Sequence, residues 1–241
     1  PIPADGIPGR HPGVGAGNTR VMFRRDEILP PDPEGLEALH DREYRVRAFR
    51  LNDGQILVRG AVRDQKPPGV YLPEDPEPLT MHHMQVDLTV AFPSMVIEAV
   101  DVAFQAYPHT TCVDIVDRYQ QLVGLSITRG FIQKVRELFG GPRGCTHTTA
   151  LLLAMGPVAT QCIWSMHAIQ ARREGRSFMT ARKEMSPEER ERSLQANLNT
   201  CHVWAEDGEM IKAAREGRPM EMMLQVRRRF AELGIPEEEW T

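Results

Sequence analysis

The stretch "EYRVRAFRLNDGQILVRGAV" (residues 43–62) decides the fold class, because it joins two β-rich runs through a short turn. Valine, isoleucine, phenylalanine and tyrosine are enriched in strands. The turn "NDG" (residues 52–54) tolerates the positive φ angles that tight hairpin connections require. The stretch therefore predicts an antiparallel hairpin.

Two further strands are expected after a proline-rich connector. In "MQVDLTV" (residues 84–90), Val86, Leu88 and Val90 alternate with polar residues at the period of two that a half-buried strand shows. The run "MVIEAVDVAF" (residues 95–104) follows directly and is also rich in β-branched residues. Together with the hairpin, these runs predict an antiparallel sheet of about four strands.

From Tyr107 onward the apolar residues recur at a helical period instead. Ser186 is a helix cap, with Pro187 at the first helical position. Helices are expected over residues 112–123, 129–139 and about 145–172, after Ser186, and in the amphipathic tail of residues 218–234. The fold class is therefore α+β, a sheet covered by helices.

The chain is expected to contain one domain behind an extended arm. Residues 1–40 are rich in proline and glycine, so few backbone hydrogen bonds can form there. Residues 41–241 form the single domain, in which 41–172 hold the sheet and the site-bearing helices and 173–241 are a helical extension. An arm of this length also suggests a homodimer.

Composition excludes several classes of function. The 241 residues are 41% hydrophobic and 26% charged, with a formal net charge of -4 and no basic stripe for a nucleic acid. The longest apolar run, residues 150–155, is far shorter than a membrane span. With four cysteines and no secretion signal, we expect a cytoplasmic protein whose cysteines are free thiols or metal ligands.

The segment "GGPRGCTH" (residues 140–147) carries a cysteine and a histidine two positions apart. Within a regular helix, Cys145 and His147 would point about 200° apart, so they can converge only where a helix begins. The glycines allow such a start, and the helix N-terminus with nearby Arg143 would favour the thiolate. Three interpretations stay open: a catalytic thiol with its histidine, a pair of metal ligands, or a turn with a buried cysteine.

Further candidate ligands lie elsewhere in the chain. Cys112 falls in the first turn of another helix, and His82 and His83 begin a strand with their side chains on opposite faces. One of these histidines with Cys112, Cys145 and His147 would make a nitrogen and sulfur set suited to zinc or iron. For Cys201 and His202 two interpretations stay open: they line a pocket at the same site, or they form an ordinary turn in the core.

Several motifs carry a resemblance to a known family. In order along the chain they are "REYRVRAF", "RGAVRD", "HHM", "YPHTTC", "LVGLSITRGF", "GGPRGCTH" and "NTCHVW". This set resembles the family catalogued as domain of unknown function 2889 over residues 40 to 210, a family without an assigned activity. Where that family usually has His-Asp-Met, this chain has His82-His83-Met84.

More distantly, the order of strands and helices is similar to the iron–sulfur scaffold fold of the NifU type. That resemblance implies a NifU-scaffold-like core with extra C-terminal helices, and a metal site where "HHM", "YPHTTC" and "CTH" fall. It also implies an alternative function, a metal or iron–sulfur cluster binding or scaffold protein without catalysis of its own.

The leading functional hypothesis is a metal- or thiolate-dependent enzyme of the lyase or hydrolase type. Its site would consist of Cys145, His147, Cys112 and a histidine of the "HHM" motif, with Cys145 and His147 catalytic. Its partner would be a small aromatic or acyl substrate, with Arg143, Cys201 and His202 as pocket candidates. Its cofactor would be a zinc or iron ion.

Overall fold

The computed structural model describes Phe23 and residues 28–177, 185–218 and 222–236. A boundary between compact units falls between Ala38 and Leu39, next to the predicted end of the arm at residue 40. Most of the arm lies outside the described residues, as does the beginning of the predicted tail helix. The sheet and the helices all belong to the unit that begins at Leu39.

Four antiparallel strands form one open sheet in sequence order. The strands are β1 (Asp41–Asn52), β2 (Gln55–Lys66), β3 (Leu79–Ala91) and β4 (Ile97–Ala106). The turn at Asp53 and Gly54 closes the predicted hairpin between β1 and β2, and the amide of Gly54 donates to the Asn52 side chain. The predicted four-stranded antiparallel sheet is confirmed.

The two faces of the sheet differ in polarity. On β2 and β3 the even-numbered residues form a continuous apolar layer that is almost completely buried: Ile56, Val58, Val62, Met84, Val86, Leu88 and Val90. The opposite face carries charged pairs such as Arg59 with Asp87. On β2 from Ile56 to Asp64 and on β3 from His82 to Val90, alternation therefore assigns each position to the covered face or to the open face.

Helical segments follow the sheet, as predicted, and make the fold α+β. A 3₁₀ segment occupies Thr110–Leu122, where the apolar pattern predicted a helix. The α-helices of the described residues are α1 (Phe131–Phe139), α2 (Thr146–Arg173), α3 (Pro187–Asn197), α4 (Glu209–Arg215) and α5 (Leu224–Glu232). The predicted cap of α3 is present, because the Ser186 hydroxyl accepts from the Glu189 amide while the Glu189 carboxylate accepts from the Ser186 amide.

Helix α2 packs across the covered face of the sheet. Leu151, Leu152 and Met155 on this helix are completely buried. At Gly60 of β2, an added Cβ atom would lie 2.9 Å from the Met155 sulfur and 3.0 Å from a Leu151 methyl carbon. A side chain at this position would have to displace the ends of Leu151 and Met155, so glycine suits the close packing of the helix on the strand.

By length and composition alone, α2 is also apolar enough to cross a membrane. A third of its most apolar stretch is buried inside the fold, and core helices of soluble proteins pass the same test. The helix is therefore weak evidence for a membrane span, and the expected absence of a membrane partner stays a prediction.

Candidate metal centre

A row of three polar side chains crosses β1, β2 and β3 at one end of the sheet. Arg42 is paired with Asp64 in the register of β1 and β2, and Asp64 is paired with His82 in that of β2 and β3. All three lie at even positions, so they continue the covered face beyond the apolar layer. The start of α2 covers this end of the sheet, since His147 contacts Asp64.

Asp64 is the buried anion of this row, with only 2% of its side chain exposed. A buried carboxylate requires charged or hydrogen-bonding partners. Arg42 supplies them through a two-pronged contact, in which Nε donates to Oδ1 over 2.5 Å and Nη2 donates to Oδ2 over 2.6 Å. The negative charge of Asp64 is thereby held in place at both oxygens.

Three histidines surround the same carboxylate oxygen. The Nε2 atom of His147 lies 2.9 Å from Asp64 Oδ2, the Nδ1 atom of His82 lies 3.5 Å from it, and the Nε2 atom of His40 lies 3.6 Å from it. The rings of His82 and His147 are stacked, with centroids 3.9 Å apart and planes inclined by 24°. One oxygen thus stands at the centre of a histidine cluster.

Asp64, His82 and His147 lie close enough together that they could hold a metal ion. One ligand atom from each lies within 4.8 Å of the other two. Donors bound to one ion at about 2.1 Å are roughly 3.0 to 3.4 Å apart, close to the 2.9 and 3.5 Å separations from Oδ2 to the two ring nitrogens. The Nδ1 atom of His82 is also buried without a hydrogen-bond partner, so it is a donor that an ion would satisfy.

The pKa shifts of Asp64 and His82 favour the protonation states in which a carboxylate and an imidazole bind a metal ion. Burial raises the pKa of Asp64, but hydrogen bonds and charge from Arg42, followed by those from His147, outweigh it and lower the pKa from 3.8 to about 2. Burial and the neighbouring His147 ring lower the pKa of His82 below 6.5. Near neutral pH the centre therefore offers an ionised carboxylate and a neutral imidazole, as metal ligation requires.

The glycine-rich turn places His147 in the cluster. At Gly144, an added Cβ atom would lie only 2.5 Å from the carbonyl oxygen of Phe139, so the turn closes tightly on the end of α1. The amide of Cys145, just before α2, donates to the hydroxyl of buried Tyr119 over 2.9 Å. The expected non-helical entry into α2 is present, and it brings Cys145 Sγ to 3.8 Å from His147 Nδ1.

Other predicted site residues lie elsewhere. His83 points to the open face of the sheet, where it lines a shallow groove with Glu43, Arg45, Ala61 and Arg63. The Arg143 guanidinium donates to the carbonyl of Glu137 at the end of α1. Cys112 is half-buried in the 3₁₀ segment, and Cys201 and His202 are exposed at a short 3₁₀ turn (His202–Trp204). We call Asp64, His82 and His147 the metal-capable group. In the described part of the chain, this group contains none of the residues just named.

The cluster consists of Asp64 and its four charged or polar neighbours, His40, Arg42, His82 and His147. Three of these residues were not among the predicted ones: Asp64, Arg42 and His40. The alternation along β2 could have revealed Asp64. It lies at an even position, on the same face of the strand as Val58, Gly60 and Val62. A carboxylate at the next position on the buried face of a strand must have charged or hydrogen-bonding partners. The same parity, extended back from Val86 through Met84, selects His82 rather than His83 as the covered histidine.

Comparison with known proteins adds a family but no activity. No significant match was found among curated proteins or among solved structures, so the NifU-type resemblance stays a prediction. The family of proteins of unknown function DUF2889 matches residues 40–161, just over half of the chain. The match begins at His40 and includes every residue of the cluster. The chain therefore belongs to the DUF2889 family.

Proposed function

We propose that the protein is a metal-dependent enzyme of the hydrolase or lyase type whose divalent ion binds Asp64, His82 and His147. The observation that carries the proposal is the convergence of these three donors within 4.8 Å, with the His82 nitrogen left unsatisfied. Two imidazoles and one carboxylate suit zinc and iron(II). A zinc or iron ion is accordingly the proposed cofactor.

The number of donors favours catalysis over a structural role. Structural zinc sites are usually closed by four protein ligands, whereas catalytic sites keep a position open for water or substrate. The group contains three donors and no thiolate, and thiolates are the usual ligands of iron–sulfur clusters. Both features support a single catalytic ion over a cluster scaffold.

An ion at this centre would polarise a carbonyl group or lower the pKa of a bound water molecule. The chain's own residues fix its ligands. Arg42 holds the Asp64 carboxylate at both oxygens, and Cys145 contacts the ring nitrogen of His147 that faces away from Asp64. Such outer contacts orient metal ligands. A small aromatic or acyl compound remains the proposed substrate.

The test is a metal-binding titration of the metal-free protein with Zn²⁺ and, anaerobically, with Fe²⁺. We expect one ion per chain, and at least a tenfold loss of affinity in His82→Ala, His147→Ala and Asp64→Asn. His83→Ala is the matched control, because it removes the neighbouring histidine on the opposite face of the same strand. The proposal fails if the parent binds no ion, or if His82→Ala binds as tightly as His83→Ala.

A second candidate function is thiol catalysis by Cys145. Its Sγ atom lies 3.8 Å from His147 Nδ1, and His147 Nε2 lies 2.9 Å from Asp64. A thiol, an imidazole and a carboxylate in this order can serve as nucleophile, base and orienting acid. This candidate predicts rapid alkylation of Cys145 by iodoacetamide in metal-free protein, slowed at least tenfold by His147→Ala, with Cys112 as the internal comparison.

A further inference from the structure

Arg42 places a permanent positive charge directly beside the carboxylate of the proposed metal centre. It donates to both oxygens of Asp64, including Oδ2, the oxygen closest to His82 and His147. A guanidinium does not lose its proton in proteins. In the described structure, Asp64 is the sole carboxylate of the metal-capable group.

The charges of an occupied centre would therefore not balance. Neutral imidazoles contribute no charge, and the single negative charge of Asp64 is already opposed by Arg42. Among Arg42, Asp64, His82 and His147, no group would oppose the two positive charges of a divalent ion in this partly buried site. Uncompensated charge is costly in a partly buried site, so the centre favours a ligand that brings negative charge from outside the protein.

The open side of the centre is built to receive one. His40, Arg42 and Tyr44 alternate along the beginning of β1 and its approach, so their side chains share one face. Between 37% and 40% of each is exposed. β1 is an edge strand, so no further strand of the described sheet covers this rim. A small molecule could thus reach the ion past these three side chains.

Arg42 also has donor capacity to spare. Asp64 occupies its Nε and Nη2 atoms, which leaves Nη1 outside this pair. Tyr44 interacts with the same guanidinium and adds an aromatic ring to the rim. A guanidinium whose Nη1 is not used by Asp64, next to a metal ion, matches an anionic group that bridges both.

We propose that the centre binds a substrate through an anionic oxygen group, a carboxylate or a phosphate, held between the metal ion and Arg42. His40 and Tyr44 flank the group at the rim. This inference rests on the proposed metal-dependent function and names the class of substrate for that same site. It makes Arg42 a specificity-determining residue for a negative charge.

The experiment measures binding of benzoate, its neutral counterpart benzamide, and inorganic phosphate to the Zn²⁺-loaded protein by calorimetry in chloride-free buffer. We expect benzoate or phosphate to bind at least tenfold more tightly than benzamide. A preference for benzoate assigns the site to carboxylates, and a preference for phosphate assigns it to phosphorylated substrates. Equal affinities for benzoate, benzamide and phosphate in the loaded parent overturn the inference and leave the metal proposal standing.

Arg42→Gln supplies the decisive variant. At saturating Zn²⁺ it should weaken anion binding at least tenfold, because the charge that the anion contacts is removed, and a separate zinc titration measures how far loss of its contacts to Asp64 lowers Zn²⁺ affinity. Arg45→Gln, on the same strand but on the open face, should change neither. If Arg42→Gln does not fold, Arg42→Lys retains one charge but loses the two-pronged geometry and should still weaken anion binding. Unchanged anion affinity in the Arg42 variant overturns the inference, whereas a parent that takes up no zinc overturns the proposed function instead.

Discussion

Arg42 holds both carboxylate oxygens of Asp64 across the first two strands, at 2.5 and 2.6 Å. Asp64 is almost completely buried, whereas 40% of the Arg42 side chain is exposed. The pair therefore joins the interior of the sheet end to its rim. Loss of either residue would leave the other without its ion-pair partner.

Replacing Asp64 should destabilise the fold substantially. We expect Asp64→Ala to lower the free energy of unfolding by about 2 kcal/mol, because the charge-assisted hydrogen bonds from Arg42 to its buried carboxylate are lost. Urea denaturation of the metal-free protein measures this loss. Asp53→Ala is the control, since Asp53 also pairs with an arginine but is 78% exposed, so its loss should cost much less. Equal losses would contradict the structural role of the buried pair.

The same pair predicts how stability depends on pH. The pKa of Asp64 is lowered from 3.8 to about 2 in the folded state, so the unfolded chain binds the proton more tightly. This contribution is present in full above about pH 4 and is lost as the pH falls towards 2, and it amounts to about 2 kcal/mol. Urea midpoints between pH 2 and 6 measure it. Asp64→Asn should remove this part of the pH dependence, and an unchanged slope would contradict the assignment.

Tyr119→Phe should damage the start of α2. Removal of the hydroxyl leaves the Cys145 amide without its acceptor inside the fold, which should cost about 1 to 2 kcal/mol. Because Cys145 precedes His147 in the same turn, we also expect weaker metal binding. Tyr107→Phe is the matched control, since Tyr107 is 40% exposed. Denaturation and zinc titration of both variants provide the measurement, and identical behaviour of the two would rule out the proposed role of the hydroxyl.

Gly144→Ala should distort the turn before α2. The added Cβ atom would lie 2.5 Å from the backbone oxygen of Phe139, and backbone cannot move aside as a flexible side chain can. We expect a loss of about 2 to 3 kcal/mol and a reduced affinity for zinc. In Gly54→Ala the nearest atom is 3.6 Å away, so this control should bind zinc as the parent does. Retention of parental stability in Gly144→Ala would show that the turn adapts.

Most of the architecture could be predicted because local patterns determine it. Alternation indicated the strands, the "NDG" turn indicated the hairpin, and Ser186 with Pro187 indicated the start of α3. The helical period over residues 112–123 correctly predicted a helical segment, but it does not distinguish a 3₁₀ segment from an α-helix. The two kinds of helix differ in whether each amide donates to the carbonyl three or four residues earlier. The apolar pattern does not reveal this difference.

The site was harder to predict because it depends on register between distant strands. His147 and one histidine of the "HHM" motif were predicted to meet, and His82 and His147 are stacked. Asp64 and Arg42 were missed because each looks like an ordinary charged residue at a strand end. Only the pairing of β1, β2 and β3 brings Arg42, Asp64 and His82 into one row. The ligand roles of Cys112 and Cys145 stay predictions, which zinc titration of their alanine variants can test.

Asp64 and His147 lie 83 positions apart in the chain, yet their side chains are in contact. A nascent chain could not assemble this pair until the whole sheet and the first turn of α2 had left the ribosome. An ion at the centre would therefore bind the finished fold and not the unfolded chain, and it would shift the folding equilibrium by mass action. With the ion bound as proposed, the cell's supply of that ion would influence what fraction of the chains is folded.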